Sequence, residues 1–252
     1  MRLLLLGFLG LPFLPLLGRA DVTATVNETR ALSATGEIVV ENVNGAVAID
    51  TWDKNEVRLE AVKKARSQAD IDALDVVIDA SESRFAVKTA YREKDGSWLK
   101  KFTNTGEVRY TLTVPHRASL RKIETVNGAI TIANVHGRVN ARTVNGRLEA
   151  TGLRHEVELK AVNGAIVATF DVVTDKQDIE IEASNGSIEL RLPAEVGATV
   201  SANTVNGSIA NDFGLTADAD KWVGRELEGT IGDGAARIRL RTINGAIEIR
   251  KR

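Results

Sequence analysis

Only a few side chains in this 252-residue chain combine a suitable residue type with a polar, loop-like surrounding. Trp98, Lys100 and Lys101 lie close together in one polar stretch, and Trp222 lies in a second. A tryptophan ring is a large flat apolar surface that suits the C–H face of a sugar. These four residues are therefore the predicted contacts with a partner.

The sequence gives less support for a catalytic site than for these contact residues. Serines are plentiful, but no G-x-S-x-G elbow or ordered Ser/His/Asp set occurs in the sequence. Aromatic residues make up only 4% of the chain, which is few for a sugar-cleaving cleft. The sequence therefore predicts a protein that is not an enzyme and uses no cofactor.

Metal binding has little support either. Nine-residue calcium-binding β-rolls need Asp inside the glycine-rich turn, whereas here the residue after the corner glycine is Ala, Arg or Ser. Asp218, Asp220 and Asp233 are interpreted as ordinary loop acids. His136 and His155, 19 residues apart at two corners, are expected to share one edge and face solvent. His116 carries no signal, and no metal site is predicted.

The elements that would position these side chains follow from a repeat. Asn-Gly recurs along the chain, and its middle copies are 18, 18, 22 and 21 residues apart. A fixed period of this size marks a repeat architecture. The predicted structural corners are Asn44-Gly45, Asn127-Gly128, Asn145-Gly146, Asn163-Gly164, Asn185-Gly186, Asn206-Gly207 and Asn244-Gly245.

Each period of eighteen divides into two units of nine, as in GAITIANVH and GRVNARTVN from Gly128 to Asn145. Positions 3 and 5 of each unit are apolar, which is the two-residue period of a half-buried strand. Position 8 is apolar again, and the corner follows it. Asn and Gly both tolerate the left-handed conformation that such a corner could need.

Two all-β architectures fit this pattern. A parallel β-solenoid, or β-helix, has coils of about 18–22 residues that stack at roughly 4.8 Å, and it superposes the asparagines as a ladder at one edge. An antiparallel meander or sandwich instead uses each Asn-Gly as a hairpin turn. The apolar position 8 favours the solenoid, because that architecture is expected to bury this residue in every coil.

The first 20 residues predict the compartment. They contain one early basic residue, a run of apolar residues and small residues at Gly18 and Ala20, which is typical of a cleaved signal peptide. The alternative is a retained anchor, but this apolar run is short for a membrane span. The protein is therefore expected to be exported, to the periplasm or to the cell surface.

The amino-acid composition limits the kinds of metal site and partner that the protein can have. Cysteine is absent, so disulfides and thiolate metal sites are excluded. The net charge is −1, which gives no reason to expect nucleic acid as a partner.

Residues 21–252 are expected to form one domain without a transmembrane segment after cleavage. Two stretches depart from the repeat, a set of longer strands at about 65–115 and an excursion at 211–235.

The two faces of the predicted solenoid differ. One carries charged residues on strands that end at the Asn corner, with Arg138, Asn140 and Arg142 next to Glu156, Glu158 and Lys160. The other is rich in small neutral residues such as Ala48, Thr131 and Ala165, and it is expected to be covered by the 65–114 strands. The last coil, GAIEIRKR, is expected to leave an open edge guarded by Arg250, Lys251 and Arg252.

In addition to the VNG corners, several short segments resemble one known family. They are TWDKNEV (51–57), EAVKKARS (60–67), YTLTVP (110–115) and LEGTIGDGAARIRLRTINGAIEIRK (227–251). In this order they are similar to the bacterial putative-adhesin family, over about Val39 to Lys251. The resemblance implies an exported β-solenoid-like domain, and it carries no catalytic or ligand residues.

The function expected from these observations is that of an exported, non-enzymatic interaction protein, an adhesin of unknown ligand. Its partner would be a surface, a glycan or an envelope component. The alternative is a structural component of the cell envelope that assembles through its solenoid ends. A carbohydrate-active β-helix enzyme is the remote alternative.

Overall fold

A computed structural model describes residues 21–92, 106–218 and 224–252 of the chain. The predicted signal peptide lies outside these ranges, as do Trp98, Lys100, Lys101 and Trp222, so these remain predictions. The described chain is all-β apart from one short helix. Within these ranges no helix is both long and apolar enough to cross a membrane.

The strands form two large sheets of mostly parallel strands. In chain order the elements are β1 (Val22–Ala31), β2 (Glu37–Glu41), β3 (Val47–Trp52), β4 (Glu56–Ala65), α1 (Gln68–Asp72), β5 (Leu74–Ala80), β6 (Arg84–Tyr91), β7 (Glu107–Pro115), β8 (Ser119–Asn127), β9 (Ile130–Ala133), β10 (Val139–Asn145), β11 (Leu148–Leu153), β12 (Val157–Asn163), β13 (Ile166–Phe170), β14 (Asp178–Asn185), β15 (Ile188–Leu192), β16 (Ala198–Asn206), β17 (Ile209–Asn211), β18 (Ala217–Asp218), β19 (Arg225–Ile231), β20 (Ala236–Asn244) and β21 (Ile247–Lys251).

Sheet A has ten strands in the order β1-β4-β7-β3-β9-β11-β13-β15-β21-β17. Sheet B has eleven strands in the order β18-β19-β16-β20-β14-β12-β10-β8-β2-β6-β5. Each repeat gives one strand to each sheet, so that Val139 in β10 pairs in parallel with Val157 in β12. The same step pairs Leu148 in β11 with Ile166 in β13. The solenoid prediction is therefore confirmed, and the Asn-Gly hairpin alternative is wrong.

The core lies between the two sheets and is built from the alternating inward residues of each coil. Ile130, Leu148 and Ile166 are fully buried on the sheet A side, and Ala141, Leu159 and Ile181 line the sheet B side. Coils in register place like side chains on top of one another. One continuous apolar core therefore runs the length of the stack.

The last coil lies inside the stack rather than at its end. Strand β20 lies between β14 and β16, and β21 lies between β15 and β17. The prediction that Arg250, Lys251 and Arg252 guard an open end is therefore wrong. Arg239 of the inserted strand is 3.1 Å from Glu180, and Arg237 is 3.4 Å from Asp178. Three arginines of β20 thus face the acidic row of β14.

Antiparallel strands close the parallel stack. At one end β4 and β1 extend sheet A beyond β7, and β5 extends sheet B beyond β6. At the other end β19 pairs antiparallel with β16. The long strands after residue 65 thus extend the sheets sideways, so the expectation that they cover the neutral face is wrong.

Helix α1 joins the two sheets at the first of these ends. Ser67 caps it, because its hydroxyl accepts a hydrogen bond from the backbone N–H of Asp70 at 3.2 Å. Ile71 is buried and fixes the helix to the end of the core. The helix ends at Asp72, because Leu74 already pairs with Tyr91 in sheet B.

Candidate functional site: the asparagine edge

The seven Asn-Gly corners superpose along one edge of the solenoid, which we call the asparagine edge. Six of the seven side-chain amides donate a hydrogen bond to the amide oxygen of the neighbouring coil, at 2.7–2.9 Å. The ladder runs Asn206, Asn244, Asn185, Asn163, Asn145, Asn127, Asn44. With coils about 4.8 Å apart, it is a straight row of roughly 29 Å.

The glycine after each asparagine is required by space and not by backbone angle. A Cβ built on Gly164 would be 1.9 Å from the carbonyl oxygen of Gly146, and one on Gly146 would be 2.1 Å from that of Gly128. Of the seven corner glycines only Gly45 has a positive φ, of 119°. The sequence-based reason for these glycines, a left-handed corner, is therefore wrong for the other six. They are needed because stacked backbones come into contact.

The residues just before each asparagine form an outward-facing row in which six residues are apolar and Ser184 is polar. The two residues at each end are exposed, and the middle three are only partly exposed. Thr143 points inward, where its hydroxyl donates to the carbonyl oxygen of Gly128 at 2.9 Å, and Val144 therefore points outward. Val126 is 38% exposed and Ile243 is 48% exposed. The expectation that position 8 is buried is wrong at this edge. In ladder order the row is Val205, Ile243, Ser184, Val162, Val144, Val126, Val43.

Both stretches that carry the predicted contact residues leave the described fold at this edge. The stretch 93–105, with Trp98, Lys100 and Lys101, joins Tyr91-Arg92 to Gly106. The Tyr91 hydroxyl lies 3.4 Å from the Asn44 amide, at one end of the ladder. Trp222 precedes Gly224, which lies against Thr204 and Val205 at the other end.

A shallow depression of about 420 Å³ connects the apolar row with the charged face of sheet B. Val162 and Ile243 line it from the row, and Arg142, Lys160 and Arg241 line it from the face. Lys160 is held by Glu158 at 2.9 Å, a hydrogen bond that raises its pKa. Among the described residues Arg142 makes no ion pair, so its guanidinium is available to an anionic group.

The rest of the charged face is largely neutralised within the protein. Arg138 pairs with Glu156, as the sequence predicted, and Lys122 pairs with Glu41 at 2.6 Å. Exposed pairs of this kind contribute little individually, about 0–1 kcal/mol. Their arrangement leaves no large patch of one sign on the described part of sheet B.

Small neutral residues occupy only part of the outer face of sheet A. Ala48 and Thr131 are neighbours in register, but the next strand carries Arg147 and Glu149, which pair at 3.3 Å. Further along, Glu189 and Arg191 pair at 2.7 Å. The neutral residues of β3, β9 and β13 are thus separated by charged pairs on β11 and β15, so the neutral surface is less continuous than the sequence indicated.

The opposite edge, which we call the histidine edge, carries His116, His136 and His155 at successive corners. His116 and His136 stack with ring centroids 5.2 Å apart, so the pairing partner of His136 is the histidine that the sequence analysis had set aside. Burial, together with the nearby Arg154 and His116, lowers the pKa of His136. No group of three His, Cys, Asp or Glu side chains in the described ranges could hold a metal ion.

A hydroxyl, an imidazole and a carboxylate meet at one end of the histidine edge. Thr51 Oγ1 is 2.6 Å from His116 Nδ1, and His116 Nε2 is 3.2 Å from Asp53. This is the order of a nucleophile, a base and an orienting acid. However, the Asp53 side chain is 97% exposed, and the Thr51 hydroxyl is also 3.1 Å from the Asn134 carbonyl oxygen. The geometry fits a contact that ties neighbouring corners together.

Trp52, at position 8 of its unit, is half-buried at the histidine edge. Its indole N–H donates to the carbonyl oxygen of Glu56 at 2.8 Å. Lys54 and Arg58 lie 4.8 and 5.2 Å from the ring centroid. The ring is thus engaged by two cations of its own chain.

Buried polar groups close the ladder at Asn44. Asn42 donates to the carbonyl oxygen of Val108 at 2.8 Å, and Thr89 bridges it to the Tyr110 hydroxyl. Burial raises the pKa of Tyr110 to about 12, so this hydroxyl stays protonated. These hydrogen bonds hold β2, β6 and β7 together at the Asn44 end of the asparagine edge.

Two parallel sheets around a single core, with a ladder of stacked corners, define the protein as a β-solenoid-like domain. The family model that matches residues 21–250 is that of the Toastrack DUF4097 domain. The chain therefore belongs to this family. No curated protein matches the chain.

Solved structures share the fold at low sequence identity. A putative cell adhesion protein from Clostridium sporogenes is 12% identical with a TM-score of 0.52, covering 91% of this chain and all of the other. A putative adhesin from Bacteroides fragilis is 13% identical with a TM-score of 0.41, covering 91% and 97%. A putative lipid binding protein from Parabacteroides distasonis is 12% identical with a TM-score of 0.31, covering 90% and 96%. Identities this low concern the fold alone.

Proposed function

We propose that the protein is an exported, non-enzymatic interaction protein that contacts its partner along the asparagine edge. The observation that carries this proposal is the coincidence, on one edge, of exposed apolar side chains at both ends of the row and the described residues that flank both contact stretches. Val43, Val126, Val205 and Ile243 are four of the six large apolar side chains that stand out as exposed in the described chain. Concentrated exposed apolar surface is typical of interaction sites.

The chemistry of the edge favours an uncharged or weakly anionic partner. The corner residues themselves are apolar or amide-bearing, and Arg142, which makes no ion pair among the described residues, lies beside Val162 and Ile243 of the row. Trp98 and Trp222 are the proposed aromatic contacts, because the described residues that flank their stretches lie at the two ends of the row. A glycan or a surface polymer laid along the edge could contact all of these features together.

Adhesion of the purified protein to isolated cell envelopes, and to an array of immobilised glycans, tests this proposal. The double variant Trp98→Ala/Trp222→Ala is expected to lose at least about tenfold in affinity, because buried aromatic contacts dominate many interfaces. Trp52→Ala is the matched control, since Trp52 lies on the histidine edge. Equal losses for both variants would refute the assigned contact residues, and absence of binding to all probes would refute the function.

Export has its own test, which does not depend on the ligand. Protease treatment of intact producing cells, followed by detection with an antibody, is expected to remove the protein if it is displayed at the surface. Protection until the outer barrier is opened would place it in the periplasm and would favour the envelope-component alternative. Recovery of the protein in the cytoplasmic fraction, with its first 20 residues intact, would contradict export.

Apart from the carbohydrate-active alternative, which release of reducing sugars from envelope polysaccharides would test, the described residues offer the Thr51–His116–Asp53 cluster as a candidate for catalysis. If that cluster is catalytic, the wild-type protein cleaves an activated ester and Thr51→Val abolishes the reaction. We expect no difference between the two proteins, because the solvated Asp53 carboxylate holds the imidazole only weakly.

A further inference from the structure

The two sheets have four terminal strands, and they differ in how well they are protected against pairing with another chain. Strand β17 has three residues and β18 has two. Strand β5 carries Asp75, which pairs with Arg92 at 2.5 Å, and Asp79, which pairs with Arg84 at 3.3 Å. Short edge strands and edge charges both discourage association. Three of the four edges are therefore blunted.

Strand β1 is the exception. It has ten residues, and its first six, Val22 to Asn27, carry no charge and no proline. One side of β1 pairs antiparallel with β4 over its whole length, from Val22 opposite Ala65 to Ala31 opposite Glu56. No described strand pairs with its other side, so a row of backbone N–H and C=O groups is open to a partner strand.

The sequence of β1 says which partner fits. Val22-Thr23-Ala24-Thr25-Val26 reads the same in both directions. Two antiparallel copies centred on Ala24 place Val22 opposite Val26 and Thr23 opposite Thr25, in both halves of the pair. A two-fold interface must be self-complementary in this way, and β-branched and Thr–Thr pairs are favourable across antiparallel strands.

The two faces of β1 support the same register. Thr23 and Thr25 are exposed, whereas Val22, Ala24 and Val26 are half-buried on the other face, and Val26 packs against the core. Pairing centred on Ala24 brings the half-buried residues of two copies together on the inner face. It also brings the threonines together on the outer face and places Asp21 opposite Asn27, so that no like charges meet.

We propose that two copies of the protein associate through β1, antiparallel and centred on Ala24, so that their two ten-stranded sheets join edge to edge. The interface is small, since it consists of about seven paired residues on each side. A weak dimer is therefore expected, with a dissociation constant on the order of micromolar.

Sedimentation of the purified protein over a wide concentration range tests the association. Two variants that differ only in the sign of one charge are compared. Thr23→Glu/Thr25→Glu places like charges opposite one another across the two-fold, and Thr23→Glu/Thr25→Lys places opposite charges there. Both variants put the same carboxylate at position 23, beside Lys64 of β4. The first is expected to raise the dimer dissociation constant at least about tenfold over the second.

A wild-type protein that stays monomeric at all concentrations would overturn the proposal, even if some other chain pairs with β1. Equal dimerisation by the two charge variants would also overturn it, because the dimer would then use another surface. Matching thermal unfolding of the variants and the wild type shows that the comparison reports on association and not on folding.

The absence of native cysteine allows a direct test of the register. Ala24→Cys places each thiol opposite its counterpart, at a separation that a disulfide can bridge. Mild oxidation is expected to convert this variant to a covalent dimer. Thr29→Cys, exposed on the same strand but outside the paired segment, is expected to remain monomeric. Equal cross-linking of both variants would contradict pairing centred on Ala24.

Discussion

The asparagine edge and the histidine edge turn the same chain between the same two sheets by different means. At the asparagine edge the corners are stacked backbones, with glycines in contact and amides in a ladder, and the apolar residue beside them points outward. At the histidine edge the corners are anchored by buried side chains such as Val135, Leu153 and Phe170. One edge is regular and exposes apolar surface, and the other is irregular and buries it.

The difference originates in one residue of the repeat. At position 7 of the asparagine edge Thr143 continues the strand inward, so that position 8 points outward. At two corners of the histidine edge Asn134 and Gly152 occupy position 7 with φ values of 59° and 69°. A left-handed residue reverses the direction of the next side chain, so Val135 and Leu153 turn into the core. The backbone conformation at position 7 thus decides whether the side chain at position 8 points outward or into the core.

The largest expected effect contrasts position 8 at the two edges. Leu153→Ala should cost about 2–5 kcal/mol of unfolding free energy, because it leaves a cavity in the core. Val126→Ala at the asparagine edge should change the free energy of unfolding by no more than about 0.5 kcal/mol, as substitutions at exposed positions usually do. Denaturant unfolding of both variants measures the difference. Similar losses would show that the two edges do not differ in the way described.

A second contrast tests the stacked glycines. Gly164→Ala inserts a Cβ against the Gly146 carbonyl oxygen, and overpacking of this kind costs about 1–3 kcal/mol or more. Gly214→Ala, which meets no atom within 4 Å, should cost less and only through its positive φ. Thermal unfolding separates the two. A neutral Gly164→Ala would mean that the coils are not in backbone contact.

The ladder itself should contribute less than the glycines. Asn163→Ala removes two exposed amide hydrogen bonds, each contributing about 0.5–1.5 kcal/mol at most. Asn163→Asp keeps the acceptor for Asn185 but sets a carboxylate oxygen against the Asn145 amide oxygen where the donor was, so its cost should be larger than that of Asn163→Ala at neutral pH. Equal losses in denaturant unfolding would indicate that the ladder does not act through directional hydrogen bonds.

The smallest effect belongs to the histidine edge and depends on pH. The pKa of His136 is lowered in the folded protein, so the unfolded chain takes up a proton first as the pH falls. Stability should therefore decrease as the pH falls below the unfolded value of about 6.5, and level off below the folded pKa. His136→Gln should remove this part of the pH dependence. An unchanged profile in that variant would assign the effect to other groups.

The repeat made the parallel stack, the Asn corners and the core positions predictable, because each depends on residues close together in the sequence. The position of the last coil was not predictable in the same way. Strand β20 lies beside β14 and not at the end, and its arginines find acidic partners there that only the three-dimensional arrangement supplies. His116 was missed for the same reason, since its partner comes from the next coil.

The direction of Val126, Val144 and Val162 was missed although a partial local signal existed. Thr125, Thr143 and Ala161 at position 7 continue the strand, whereas Asn134 and Gly152 reverse it with a positive φ. Residue type alone does not decide, because Asn42 at position 7 of the first asparagine corner is buried and leaves Val43 exposed. The contact residues Trp98, Lys100, Lys101 and Trp222 remain predictions. What the structure adds is that the chain on either side of them ends at the asparagine edge.

The most direct test of the central claim compares the two edges in binding. Val126→Lys/Ile243→Lys places charges at exposed positions of the apolar row, and Val172→Lys places one at an equally exposed valine, 41% accessible, on the other edge. All three positions are exposed, so the fold should tolerate the changes. The account predicts that only the first variant loses binding to cell envelopes or glycans. Normal binding by that variant, or an equal loss in both, would contradict a partner site on the asparagine edge.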